Sequence, residues 1–124
     1  MYNDIVMAHF RKPHNLGEIK NPDAVGEVGN PVCGDMMKVT MKIDPKTRII
    51  KDIKFKTFGC VAAIACSSIT TDLVKGKTIE EARKIGKKEI VAALGELPPL
   101  KIHCSILSSG AINKALDNYK KNDS

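Results

Sequence analysis

Tryptophan is absent from this 124-residue chain, and phenylalanine and tyrosine together make up only 4% of it. So few aromatic side chains leave no stacking platform for nucleic-acid bases, although the net charge of +6 would otherwise raise that idea. The lysines are scattered (Lys42, Lys54, Lys56, Lys75, Lys77, Lys87, Lys88) rather than gathered in a block. The charge therefore reads as a solvated basic surface or a landing face for an acidic protein partner. Long apolar runs are missing too. None approaches the ~20 residues that span a bilayer, and the charged first twenty residues hold no signal-peptide core. A cytoplasmic protein without a membrane partner is expected. No repeat or low-complexity segment divides the chain, so residues 1–124 read as one domain, large enough for a single core.

Paired C-x₂-C hooks are the last absence, and it argues against a structural zinc module. Four cysteines are nevertheless present, at positions 33, 60, 66 and 104. In a reducing compartment they suit ligands or reactive thiols better than disulfides.

Taken in order, Asn3 or Asp4 can cap a short helix that stops before Pro13. His9 and His14 near its end read as charge or packing residues rather than ligands. Gly17, Pro22, Gly26 and Gly29 break the next stretch into a loop with one edge strand around 25–28. Met37, Val39, Met41 and Ile43 alternate with polar residues, Asp44-Pro45-Lys46-Thr47 makes a turn, and Ile49, Ile53 and Phe55 line a returning strand. Lys51 interrupts that alternation. The result is an antiparallel hairpin with one wet face and helices over the other, an α+β fold.

Gly59 allows a sharp turn where the strand ending at Phe58 hands over to a helix over 61–74. Ala62, Cys66, Ile69 and Leu73 form the expected core stripe of that helix. Gly76 ends it, and Thr78-Ile79-Glu80-Glu81 is a capping box for another. A further helix through Ile90 and Leu94 stops at Gly95. Leu97-Pro98-Pro99-Leu100-Lys101 is expected to be extended and exposed, as a plain connector or a docking peptide. Ser105 is the expected N-cap of a last helix whose stripe is Ile112, Ala115, Leu116 and Tyr119. The Lys-Lys-Asn-Asp-Ser tail should fray.

Cys60 thus stands at a helix N-terminus, a setting that favours metal binding or sulfur transfer. Cys104, with His103 beside it, falls just before the last helix. Asn30-Pro31-Val32-Cys33-Gly34-Asp35 is turn chemistry. It either aims Cys33 and Asp35 at a common ligand or holds a buried cysteine and a solvated aspartate. Cys33, Cys60 and Cys104 with Asp35 and His103 make a candidate ligand set for a soft metal or cluster. Cys66 lies roughly 240° around the helix from Cys60, and reads as a small buried hydrophobe.

Three stretches carry a resemblance: Asn30-Pro-Val-Cys-Gly-Asp35, Phe58-Gly-Cys60 with Ala63-Ile-Ala65, and Leu97-Pro-Pro-Leu-Lys-Ile-His-Cys-Ser105. In that order, with Tyr2, His9, Pro13, Asn15 and Gly17 at the start, they resemble iron–sulfur cluster assembly scaffolds of the IscU/NifU N-terminal type. The resemblance covers nearly the whole chain. It implies a three-stranded antiparallel sheet with helices packed on it, and Cys33, Cys60 and Cys104 as cluster ligands and sulfur acceptors. Asp35 would tune cluster release and His103 would be an alternative ligand. A 2Fe–2S cluster would form from ferrous iron and persulfide sulfur that a cysteine desulfurase delivers, most plausibly to Cys104, before transfer to acceptor apoproteins. Such a protein is a scaffold and carrier rather than an enzyme.

The resemblance also implies that residues 97–101 bind a DnaK-type chaperone helped by a J-domain co-chaperone, although Leu100 replaces the family valine. Cys66 stands where the family usually has serine. A zinc-bound, SufU-like sulfurtransferase that relays persulfide is the rival reading. His103 and the lack of an insertion between Cys60 and Cys104 favour the scaffold. Zinc could enter the same site, and a homodimer stays open.

Overall fold

The computed structural model describes residues 2–30 and 35–123, and all of their side chains except those at 30, 35, 100 and 120–123. Helix α1 (Asp4–Arg11) is followed by strands β1 (Ala24–Asn30), β2 (Asp35–Ile43) and β3 (Ile50–Phe58). Helices α2 (Val61–Val74), α3 (Ile79–Arg83) and α4 (Lys87–Leu94), a 3₁₀ turn (Pro99–Lys101) and helix α5 (His103–Asp123) complete the chain. The sheet is antiparallel in the order β1-β2-β3, as the resemblance implied. The edge strand β1 is longer than the four residues expected.

One face of the sheet presents Met37, Val39, Met41, Ile53 and Phe55 to Ile112, Ala115 and Leu116 of α5. At Gly26 the contact between α5 and β1 is at its tightest. A Cβ there would stand 2.5 Å from the Ala111 carbonyl oxygen and the Ala115 nitrogen, so only glycine lets the helix lie this close. The interruption at Lys51 also has a structural cause. Lys42 pairs with Asp52 and Ile43 with Ile50, so Lys51 is the extra residue of a β-bulge. The bulge turns Ile50 rather than Ile49 into the core.

The opposite face is only partly wet. The Asn15 carbonyl and the Gly17 N–H pair with Phe55 along the free edge of β3. The Ile19 N–H donates to the buried Thr40 hydroxyl at 3.0 Å. The two bonds to Phe55 cap the middle of an edge that would otherwise invite pairing with another chain.

Helix α2 spans the expected residues but is buried on far more than one stripe. Ala62, Ala63, Ala65, Cys66, Ser67, Ser68, Thr70, Thr71 and Val74 are all buried, while Ile69 and Leu73 are only half-buried. The helix is held among α1, β3, α4 and α5, and its small side chains allow that approach. Its buried hydroxyls are satisfied along the helix, Ser67 by the Ala63 carbonyl at 2.8 Å and Thr70 by that of Cys66 at 2.5 Å. The Asn3 side chain caps α1 by accepting the Val6 N–H at 2.9 Å and donates to the Leu94 carbonyl at 2.8 Å. Thr78 and Glu81 form the expected capping box.

Two expectations near the C-terminus are corrected. Residues 97–101 are only partly extended and not fully exposed: Pro98 keeps an extended backbone (φ -55°, ψ 141°), but Leu97 is buried and Pro99 opens the 3₁₀ turn. Proline tolerates a first helical position, because the missing N–H is an orphan there. The turn runs directly into α5, which begins at His103. Ser105 therefore lies inside the helix, its hydroxyl donating to the Ile102 carbonyl at 2.6 Å, and is not its cap. Helix α5 also continues through most of the tail expected to fray, ending at Asp123.

Candidate metal and sulfur centre

Cys60 is the N-cap of α2. Gly59 reverses the chain at φ 157°, a region side chains with a Cβ rarely adopt. Cys60 then takes extended backbone, and the Ile64 N–H closes the first helical turn on its carbonyl at 3.1 Å. Its sulfur makes no capping hydrogen bond and is directed to other partners. The Tyr2 hydroxyl and the Lys101 ammonium both lie within electrostatic reach of it.

These contacts leave an electrostatic mark. The Cys60 sulfur, then the Tyr2 oxygen, hold the Lys101 pKa above the usual lysine range, with Cys104 adding to the effect. Burial raises the Tyr2 pKa, Cys60 raises it further, and Lys101 opposes both. Cys104 lies in the first turn of α5 and is wholly buried. A ligand therefore reaches its sulfur only after surrounding side chains move. His103 Nε2 stands 3.8 Å from that sulfur. Cys60, Cys104 and His103 are thus drawn together around Lys101 and Tyr2.

Cys33 lies outside the described residues, as does the Asp35 side chain. The strands flanking Cys33 are described, however. Asn30 pairs with Asp35, and Met36 pairs with Phe58. The β1–β2 connection therefore departs from the end of the sheet at which β3 hands over to Cys60.

Cys66 is buried in the helical core with Val6, Ile90, Leu94 and Leu97. Burial, and secondarily Cys60, push its thiol up to about 12. That is the packing role its place on α2 suggested. The three described cysteines are free thiols. Of residues 97–101, Leu97 is in the core, Pro98 is half-buried, Pro99 is exposed, and the Leu100 side chain lies outside the described set.

The sequence reading gave Lys101 only to the docking peptide and missed its place on Cys60. No local signal ties Lys101 to Cys60, which is distant in sequence. The same holds for Tyr2. Beside the centre, Phe58 is 71% exposed and Leu16 56%, an apolar pair of the kind that marks contact surfaces.

Comparison with known proteins agrees with the fold. The chain matches the family described as NifU-like N terminal domain over residues 1–124. It is 53% identical to iron-sulfur cluster assembly scaffold protein IscU 1 of Archaeoglobus fulgidus, over 98% of this chain and 79% of that protein. It is 46% identical to the iron-sulfur cluster assembly scaffold protein IscU of Aquifex aeolicus, over 95% of this chain and 75% of that one. In fold it is similar to the N-terminal part of a nitrogen-fixing NifU-like protein from Brucella abortus. That structure has a TM-score of 0.76 at 17% identity, with 96% of this chain and 94% of the other covered.

Proposed function

Because the chain belongs to the NifU-like N-terminal domain family, we propose that it is a scaffold on which an iron–sulfur cluster is built and then handed to acceptor apoproteins. The observation that carries this reading is that Cys60 and Cys104, from two different helix starts, pack into one cluster, with the Lys101 ammonium within electrostatic reach. Thiolates are the donors iron–sulfur clusters require. A cation beside them offsets the negative charge that accumulates when thiolate and sulfide gather.

In this reading the cargo is a 2Fe–2S cluster held by Cys33, Cys60 and Cys104, with Asp35 or His103 as the fourth ligand. A mixed ligand set holds a cluster less firmly than four thiolates, which suits a protein that must give it up. The sulfur donor is a cysteine desulfurase. Attack of the Cys104 thiolate on the desulfurase persulfide forms a new S–S bond at Cys104 and returns the desulfurase thiolate. Reductive cleavage of the new persulfide then yields sulfide and the Cys104 thiolate. Ferrous iron becoming ferric supplies part of the electrons, and an external one-electron donor supplies the remainder. No net turnover of a substrate is catalysed, so the protein is a carrier rather than an enzyme.

The exposed Phe58 and Leu16 offer a contact for a sulfur donor or acceptor beside Cys60. Residues 97–101 are the proposed docking peptide for a DnaK-type chaperone with its J-domain co-chaperone. Leu97 is in the core and Lys101 is on Cys60, so a partner gripping this peptide must first open it. Free thiols fit a cytoplasmic setting. Among the described residues, no helix is long and apolar enough to cross a membrane.

The test is anaerobic reconstitution of the apoprotein with ferrous iron, cysteine and a desulfurase, with and without competing zinc. Absorption and Mössbauer spectra are followed for the wild type and each Cys→Ser variant. A 2Fe–2S spectrum that requires Cys33, Cys60 and Cys104 but not Cys66 supports the scaffold. Tight zinc retention with persulfide acceptance and no cluster supports a sulfur relay instead.

A further inference from the structure

A second group of ligating side chains lies toward the other end of α2. His14 Nδ1 stands 2.5 Å from Asp72 Oδ2, and the His9 and His14 ring centroids are 4.6 Å apart. One ligating atom from each of His9, His14 and Asp72 falls within 4.8 Å of the other two. We propose that these three residues bind a divalent first-row transition ion at a site separate from the cysteines.

The surroundings hold the group in place. Ser68 Oγ is 2.7 Å from His9 Nδ1 and accepts the His14 N–H at 2.8 Å. Its bond to Nδ1 of His9 leaves Nε2 of that ring to ligate. The Asn15 amide donates to Asp72 Oδ1 at 3.1 Å and to the Thr71 hydroxyl at 3.0 Å. Asn15 has φ 62°, a left-handed conformation uncommon outside glycine, and in that conformation its amide reaches the carboxylate. Outer-shell hydrogen bonds of this kind orient metal ligands.

The chemistry selects the ligand class. Two imidazoles and one carboxylate suit zinc, iron or nickel better than calcium or magnesium, which favour oxygen donors. Ligands about 2 Å from an ion lie closer together than 4.8 Å, so the site must tighten. The His14 side chain is 53% exposed and can swing inward, whereas His9 is buried and fixed. The close His14–Asp72 contact occupies the place of the ion, which must come between the two side chains to bind. His9 lies in the last turn of α1, where the helix dipole favours a cation. Among the described residues, no lysine or arginine pairs with Asp72.

Zn²⁺ titration of the full chain tests the site, with the imidazole nitrogens of its three histidines followed by long-range ¹H–¹⁵N NMR. The His9 and His14 resonances should move together and saturate, whatever His103 does. In Asp72→Asn that joint response should be lost, and in His14→Gln the His9 response should be lost, while any response of His103 persists. Asn15→Ala should weaken it about tenfold. The proposal is overturned if His9 and His14 stay unmoved up to millimolar zinc. It is equally overturned if both respond unchanged in folded Asp72→Asn, or if His9 responds unchanged in folded His14→Gln. His14 is exposed, so His14→Gln keeps the test decisive should Asp72→Asn fail to fold. Cluster assembly does not enter this readout, and the scaffold reading can fail without affecting it.

Discussion

The Lys101 ammonium lies within electrostatic reach of the Cys60 sulfur and couples the turn before α5 to the start of α2. Because Cys60 is the largest cause of the raised Lys101 pKa, Cys60→Ser should return that pKa toward the usual lysine range. A ¹³Cε titration of lysine-labelled protein reads this directly. An unchanged Lys101 titration would show that the pair does not persist in solution. Cys104→Ser should have a smaller effect, in keeping with its lesser share.

Gly26→Ala should destabilise the fold by about 1–3 kcal/mol. The added methyl meets backbone atoms of α5 at 2.5 Å, and neither strand nor helix can turn aside as a side chain would. The urea midpoint should fall with little change in slope. Since α5 carries Cys104, the variant should also expose that thiol to alkylation sooner than the wild type. Equal stability would mean that α5 stands off β1 in solution.

Cys66 should resist iodoacetamide in the folded protein at pH 8, because it is buried and its thiol is pushed up to about 12. Mass spectrometry after urea unfolding should show it labelled. Cys66→Ala removes one buried atom and should cost about 1 kcal/mol, leaving cluster assembly intact. Loss of assembly in a folded Cys66→Ala protein would give this thiol a direct role.

Acid should weaken the fold through Asp44 and Glu81. Backbone N–H groups of Lys46 and Thr47 hold the Asp44 carboxylate pKa low, and the Thr78 N–H does the same for Glu81. Both folded pKa values lie below the unfolded ones. Their contribution is therefore complete above the unfolded values of 3.8 and 4.5 and lost as pH falls through the depressed folded values. Glu81→Gln keeps an acceptor for the Thr78 N–H but has no titrating proton. Its urea midpoint should fall less between pH 5 and 3 than that of the wild type. Parallel pH profiles would remove Glu81 from the acid response.

Local signals were legible in the sequence where one residue type has one use. Gly59, Gly76 and Gly95 marked chain reversals that the structure places at positive φ, and Thr78-to-Glu81 marked a cap. The cysteine at the strand–helix junction could be read from the change in period alone. Tertiary choices were less visible. Lys51 flagged an irregularity, but only the pairing of β2 with β3 shows that a bulge turns Ile50 inward. Proline argued against helix at 97–101, yet a 3₁₀ turn accepts it at the first position. The stripe on α2 was too narrow, because alanine, serine and threonine can face either core or solvent. His14 and Asp72 gave no warning of each other, being far apart in sequence and brought together only by the packing of α1 on α2.

Helix α2 begins at Cys60 and has Asp72 in its last turn, a rise of about 18 Å between them. Its peptide dipoles make the first end electropositive and the second electronegative. The same rod therefore offers an anionic sulfur cargo the pole that attracts it and a bare cation the opposite pole. The dipole's effect falls off within the first and last turns, so each end acts on its own neighbours and little on the other. If both proposed sites are filled, the two kinds of metal cargo load independently, and reversing the helix direction would set each pole against its own cargo.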